Sequence, residues 1–572
     1  MAFAVYALTA HRVLGWWHSS SYILAADSLG VHLPPGSLIL TLLGWPVARI
    51  TPDASTAFSL HLLDGLLAAA TGWLVMKVAF GLTLRHRLVD TSPRTRLDDG
   101  LIALAVGCGV LVLLWGETMW RYAIVFEPYV LSALFMALLL GTSVKWWYAA
   151  GTGMSNRWLF VVTLLFGLDF SVHRTNMLLL PGFVLWVLLF RRADLRHMKT
   201  WVSGGTGFVA GLAFHLLIMA LAARGPALNG GDPSNWARFY DYITLQQYGG
   251  GFLVNLWPRN ASFFAVQLAD YLRVFVANFV TYGYVLAGLP MLLATAGVAA
   301  LWSRDRRLAI GLLIFFLCSG LGTVVFFNLP DNYPLPMDRH YLPSFVAFAL
   351  FVAVGAGTLI SMASTRRGLL RVPVWLLVSL VLLLPVKQLV RNYSVLDGSN
   401  RRDAYEYAHD ILSGAEPDAI LYAAGEVYFP LACLQQTEKI RPDVEVVSMS
   451  LTNTHWYARQ VFGPGGRMPL RLTGEEVDNL EVVVWQDSTI VTRIEGTADT
   501  FGIEVKPTIA DQFLLIQDLL LVRLIEVNRW KRPIYFTEPP GWLRRYSRPD
   551  GRVWRLVPKI VDDGGDSGET RK

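Results

Sequence analysis

The sequence predicts a polytopic α-helical membrane protein that carries a C-terminal extracytoplasmic α/β domain. Two observations predict it. Apolar runs long enough to cross lipid recur, separated by short loops, from the start to about residue 391. From Asn392 onward such runs vanish and charged residues become frequent. A spanning helix needs about 20 apolar residues, because lipid offers the backbone no hydrogen-bond partner. Composition agrees: the 572 residues are 54% hydrophobic and 16% charged, which excludes a disordered or disulfide-stapled chain.

The runs place spans near 1–16, 56–82, 100–118, 124–146, 158–172, 175–190, 201–223, 276–302, 308–327, 343–363 and 370–390. Run 36–50 is apolar but short, and Pro46 interrupts it. Four loops are basic, holding Arg85, Arg87, Arg94 and Arg96; Arg191, Arg192, Arg196 and Lys199; Arg304, Arg306 and Arg307; and Arg366, Arg367 and Arg371. Positive loops stay cytoplasmic. All four fall on one side only if 36–50 lies along the outer surface. The result is about eleven spans in a membrane domain over 1–391, with residues 392–572 outside.

The outer face then holds loop 17–55, short turns near 117–123 and 173, the long loop 224–275, loop 328–342 and the tail. Chemistry is expected there. The expected location is a bacterial inner membrane, or the endoplasmic reticulum in a eukaryote. Met1–Leu14 shows no cleavage site and reads as the second half of a first spanning helix. The net charge of +6 sits mostly in the loops, so it encodes topology and predicts no nucleic-acid partner. Cys108, Cys318 and Cys433 are scattered and imply neither a disulfide nor a metal spacing.

In the tail, Ala419–Tyr422, Val444–Met449 and Pro533–Phe536 read as strands, with helices over Tyr428–Glu438 and Thr508–Val527. Strands alternating with helices predict a small α/β unit, and no glycine fingerprint for a nucleotide is present.

Several segments, in order and spread over nearly the whole chain, carry a family resemblance. They are Gly30-Val31-His32-Leu33-Pro34-Pro35-Gly36, Trp120 through Glu127-Pro128-Tyr129, Gly167 through His173 to Asn176, Arg339-His340-Tyr341-Leu342-Pro343-Ser344, Arg441-Pro442-Asp443-Val444 with Asn453-Thr454-His455-Trp456-Tyr457, and Asn528 through Phe536. Together they resemble the polytopic family that includes the animal transmembrane protein O-mannosyltransferase of the endoplasmic reticulum, within the GT-C glycosyltransferase superfamily. The resemblance implies transfer of a hexose, mannose by expectation, from a polyprenyl-phosphate donor to a protein Ser/Thr or glycan hydroxyl on the non-cytoplasmic face. It also implies a first outer loop bearing helices that lie flat on the membrane.

One departure bears on mechanism. The family usually has a Trp-Asp-Ser-Gly-Glu type motif in the first outer loop, whereas this chain has Trp17-His18-Ser19-Ser20-Ser21-Tyr22, without either carboxylate. Inverting transfer needs a base to take the proton of the attacking hydroxyl, and a positioned base contributes about 10²–10⁴-fold. His18 is one replacement and Asp27 the nearest carboxylate in the loop. Glu127, at the outer mouth of a span, is a third candidate; its alternative reading is a helix-entry residue before Pro128.

His173 and Asn176, at i and i+3, are expected on one helix face, holding lipid phosphate or sugar hydroxyls with Arg174 as counter-charge. Asp169 is expected to orient His173. Arg339, with His340 beside it before a span, suits a phosphate whose charge rises as the glycosidic bond breaks; anchoring at the interface is the alternative. His32 faces the sugar on this reading, while Pro34, Pro35 and Gly36 shape the loop. Whether a divalent metal takes part is left open. Glu426, a single Glu after Gly425, reads as no active site, and the tail is expected to pack over the membrane site or guide the acceptor.

Two other classes compete with the enzyme. A family member that has lost catalysis and binds lipid-linked sugar or a protein partner would explain the missing carboxylates. A transporter would show internal repeats and helices broken near the midplane, and no repeat is visible.

Overall fold

The computed structural model describes residues 1–16, 18–85, 96–246, 250, 256–280, 288–332, 336–365, 371–484 and 513–557. Arg87, Arg94, Arg366 and Arg367 of the basic loops lie outside the described residues, as do 508–512 of the tail helix expected over Thr508–Val527.

Among the described residues six helices are long and apolar enough to cross a membrane: Asp53–Arg85, Arg96–Leu114, Pro128–Tyr148, Met198–Ala222, Arg306–Phe326 and Asp338–Ala363. Leu38–Ile50, Thr175–Phe190 and Leu289–Arg304 are shorter apolar helices. Within 36–50 the helix is therefore Leu38–Ile50, 13 residues and short of a crossing. The first expected span is reduced to Ala2–Thr9, because the chain turns extended at Ala10 and becomes irregular before the next helix at His18. The expected turn near 117–123 is a short helix, Glu117–Ala123.

The Leu342–Thr365 helix is the axis of the bundle, flanked by Arg96–Leu114, Leu289–Arg304, Thr56–Arg85, Arg306–Phe326 and Pro128–Tyr148. Small residues make this possible. A Cβ added at Gly297 would overlap the Phe351 carbonyl, and one at Gly355 the Leu293 carbonyl, so two backbones touch there. Lipid gives helices no hydrophobic reason to associate, and close backbone contact takes over that role.

The tail folds as layers. Strands β1 (Ile420–Ala423), β2 (Glu445–Ser448), β3 (Ile534–Phe536), β4 (Ser547–Asp550) and β5 (Val553–Leu556) form one sheet in the order β2-β1-β3-β5-β4. The β2-β1-β3 part is parallel, with Leu421 opposite Val446 and Tyr535; β3-β5 and β5-β4 are antiparallel. All of β1 and β3 is buried, as parallel strands covered on both faces require. Arg441 and Arg532 staple this unit. Arg441 donates to the carbonyls of Leu412, Ala415 and Glu416, and Arg532 to those of Asp418 and Arg467.

Helix packing seats the tail on the outer loop. Helix Tyr428–Thr437 packs on the outer-loop helix His18–Ser28. The outer loop is also tied to the 224–246 region, where Val31 N–H donates to the Leu228 carbonyl and Gly230 N–H to the Val31 carbonyl.

Candidate functional site

The helix His18–Ser28, the turn at His32–Pro35, the break at His173–Thr175, the mouth of the central helix at Arg339–His340 and the tail at Glu426–Phe429 converge on one cavity of about 400 Å³. Six of the nine residues singled out from the sequence line it: His18, His32, His173, Arg174, Arg339 and His340. Leu33, Leu178, Leu245, Phe326, Phe327 and Phe429 add apolar lining.

His32 is held from two sides. Its ring stacks on Tyr22 at 3.8 Å between centroids, and its Nε2 lies 2.8 Å from the Ser21 hydroxyl. Its Nδ1 donates to the Leu33 carbonyl at 2.9 Å, which leaves Nε2 as an acceptor for Ser21. Burial lowers the pKa of His32 to about 3. His18 is lowered to about 4, first by burial and then by the field of Arg339. Both imidazoles are neutral at physiological pH.

His173 does not share a helix face with Asn176. The backbone turns left-handed at Arg174 (φ 62°), and a 3-10 turn restarts at Thr175. Asn176 faces inward instead, donating to the Ser132 carbonyl and to Asp169, each at 2.9 Å. Asp169 therefore braces Asn176 and not His173, whose Nδ1 pairs with the Thr175 hydroxyl at 2.7 Å. The inverted turn throws Arg174 toward the cavity while Asn176 locks the turn from behind.

His173, His340 and Tyr129 form an aromatic cluster, with ring centroids 5.0–5.3 Å apart. The Arg339 guanidinium lies 5.1 Å from the Tyr129 ring centroid. Asp338, next to it, is engaged elsewhere, accepting from Arg121 at 3.0 Å and from the Tyr122 hydroxyl at 2.8 Å. Among the described residues neither Arg174 nor Arg339 pairs with a carboxylate, although both are buried. Arg174 Nη1 donates to the Ile243 carbonyl at 2.6 Å; its Nε and Nη2, and Arg339 Nε, have no partner. Buried guanidinium donors without partners are costly, so the arrangement is suited to an anion.

Glu127 and Asp27 do not line the cavity. Glu127 precedes the Pro128–Tyr148 helix; its N–H donates to Asp64 at 2.8 Å, and its Oε2 is buried without a partner. Asp27 faces away, pairing with Arg49 and accepting from Gln436 Nε2 at 2.8 Å.

The sequence reading missed Glu426. This tail residue lines the cavity, and its carboxylate makes no hydrogen bond or ion pair among the described residues. Burial raises its pKa, opposed by Arg339. Its one legible signal was a carboxylate between a positive-φ glycine, Gly425, and an apolar helix. Among the described residues no group of three or more His, Cys, Asp or Glu side chains is gathered as a metal ion would require.

Residues 18–197, which supply most of the cavity, match the family model described as Protein O-mannosyl-transferase TMEM260 N-terminal domain. Over that stretch the chain is similar to this family. Residues 404–465, which contain Glu426, match TMEM260-associated domain 2. Protein O-mannosyl-transferase TMEM260 of Mus musculus is 25% identical over 471 residues, covering 79% of this chain and 62% of the relative. The Dictyostelium discoideum protein of the same name is 22% identical over 509 residues, covering 79% and 56%. The chain thus spans about three fifths of the length of these relatives. ArnT from Cupriavidus metallidurans, in its apo crystal structure, matches with a TM-score of 0.50 and 13% identity over 80% of this chain and 89% of that one. That likeness concerns the fold.

Proposed function

We propose that the protein is a membrane glycosyltransferase that moves a hexose, mannose by family resemblance, from a polyprenyl-phosphate donor to a hydroxyl of a protein or glycan. The observation that carries this reading is the pair of buried guanidiniums, Arg174 and Arg339, which have donors without a partner among the described residues and line a cavity with apolar residues in its wall. A phosphate satisfies the donors, and a prenyl chain suits Phe326, Phe327 and Leu178. On this reading the membrane part crosses about eleven times, and the tail from 392 onward lies on the non-cytoplasmic face. The protein then resides in a bacterial inner membrane or the endoplasmic reticulum.

In the reaction the acceptor oxygen attacks C1 of the sugar, and the C1–O bond to phosphate breaks. The electron pair leaves on the prenyl phosphate, whose growing charge Arg339 and Arg174 stabilise. The acceptor proton goes to Glu426. An efficient base has a pKa near the working pH, and Glu426 is shifted upward toward it while His18 is held at about 4. His18 and His173 stay neutral and hydrogen-bond sugar or acceptor hydroxyls, while His32, with both ring nitrogens engaged by Ser21 and Leu33, shapes the cavity wall. Asp27 and Glu127 act as positioning residues.

The loss of the first-loop carboxylates supports a second reading, a binding scaffold without catalysis. Purified protein in nanodiscs, given polyprenyl-phosphate [³H]mannose and a Ser/Thr-rich acceptor mixture, separates the two. Label on the acceptor with wild type and not with Glu426→Gln supports the transferase. Donor binding without transfer in wild type supports the scaffold, and absence of both overturns the sugar assignment.

A further inference from the structure

The helices Thr56–Arg85 and Pro128–Tyr148 are joined near the candidate site, where Asp64 accepts the Glu127 N–H. Eighteen residues along the second helix from Glu127 stands Lys145, about 27 Å away at 1.5 Å per residue, close to the thickness of a hydrocarbon layer. At that far end the two helices border a cleft of about 580 Å³ with a predominantly apolar lining, including Leu74, Val78 and Leu138.

Three cations line the same cleft, and each rests on an aromatic face. Lys77 Nζ lies 4.4 Å from the Trp73 ring centroid, Arg85 Cζ 3.8 Å from that of Tyr148, and Lys145 Nζ 4.4 Å from that of Trp158. No carboxylate lines the cleft, and among the described residues none pairs with these cations. Asp305, whose field reaches Tyr148, is occupied by the Trp147 indole N–H at 2.7 Å and the Leu308 N–H at 3.0 Å. The Tyr148 hydroxyl is buried and has no hydrogen-bond partner. Arg85, Lys145 and the free Tyr148 hydroxyl stand toward one end of the apolar slot, with Lys77 about 12 Å along the helix from Arg85; this set is complementary to a single chemical class, an acyl chain ending in an anionic headgroup.

We propose that this cleft binds one anionic phospholipid, in the leaflet opposite the candidate site. The acyl chain lies between the two helices, and the phosphate meets Arg85, Lys145 and the Tyr148 hydroxyl. A scattered basic loop attracts anionic lipid in general. Here the aromatic supports pre-organise the cations, so one molecule is retained.

Native mass spectrometry of the full chain, released from detergent after addition of phosphatidylglycerol or phosphatidylcholine with identical acyl chains, tests this. One phosphatidylglycerol is expected to stay bound where phosphatidylcholine does not, and Arg85→Gln/Lys145→Gln is expected to weaken retention roughly 30-fold. Leu138→Trp, which fills the slot and keeps every charge, is expected to displace the lipid as well; it covers the case in which the double variant fails to fold. Equal retention of both lipids, undiminished phosphatidylglycerol in either folded variant, or its displacement by polyprenyl phosphate overturns the proposal.

Discussion

Gln436 Nε2 donates to the Asp27 carboxylate at 2.8 Å, joining residues 409 positions apart. This bond fastens the tail helix Tyr428–Thr437 to the outer-loop helix His18–Ser28, and the tail in turn delivers Glu426 to the cavity. The loop carboxylate nearest to the vacant family motif thus serves to position, through the tail, a carboxylate from elsewhere in the chain.

Asp27→Asn should therefore loosen the tail without removing a reacting group. A loss of about 1–3 kcal/mol in stability is expected from the Arg49 and Gln436 bonds left unmatched. Turnover per folded molecule should fall less than tenfold. Thermal unfolding together with activity normalised to the folded fraction checks this; complete inactivity of a well-folded variant would make Asp27 the base.

Glu426→Gln should lower the rate by about 10²–10⁴ with donor binding unchanged, as removal of a general base does. The wild-type rate should fall on acidification as the carboxylate takes up a proton, through a pKa above the ordinary Glu value because burial raises it. That acidic limb should vanish in the variant. Single-turnover rates across pH, beside donor-binding isotherms, carry the comparison.

Arg339→Ala and Arg174→Ala should each weaken binding of the donor phosphate by roughly tenfold to a hundredfold, the scale of a charge-assisted hydrogen bond. Arg339→Lys should recover only part of this, since an ammonium lacks the planar fork and the stacking on Tyr129. Binding of a prenyl phosphate without sugar is the cleanest readout. Unchanged affinity in both alanine variants would remove the phosphate assignment.

Folding stability should fall as pH drops below about 6.5. The unfolded chain protonates His32 near 6.5, whereas the folded loop refuses the proton until about 3. Between those values the unfolded state binds more protons, so acid favours it by up to about 1.4 kcal/mol per pH unit for this group. His32→Gln should flatten the slope of apparent Tm between pH 7 and 5. An unaltered slope would place the acid sensitivity elsewhere.

Gly355→Val should disrupt the bundle, because its side chain would enter the Leu293 carbonyl across the helix contact. Loss of the monodisperse peak in detergent chromatography is expected. A control change to Val at Gly322, where an added Cβ meets nothing, should leave the peak intact.

Much of the bundle was legible because hydropathy is a local property. The helices Thr56–Arg85, Pro128–Tyr148 and Arg306–Phe326 lie where apolar runs announce them. The strands at Ile420–Ala423, Glu445–Ser448 and Ile534–Phe536 were announced in the same way. Asn176 was misread because a left-handed residue in the middle of an apolar run cannot be heard in its periodicity: Arg174 reverses the direction of the next side chain, and i,i+3 reasoning fails across it. Glu426 was misread because an isolated carboxylate acquires meaning only from what faces it.

The chain by itself determined that it lives in lipid, that its tail is of another character, and that basic residues cluster in four loops. These follow from transfer free energies summed along a contiguous segment. Tertiary structure alone decided which polar groups meet: that six of the nine expected side chains share one cavity, that Asp27 is drawn away to Gln436, and that Glu426 takes a place beside Arg339. Such meetings depend on packing between segments hundreds of residues apart, and no local sum of propensities contains them.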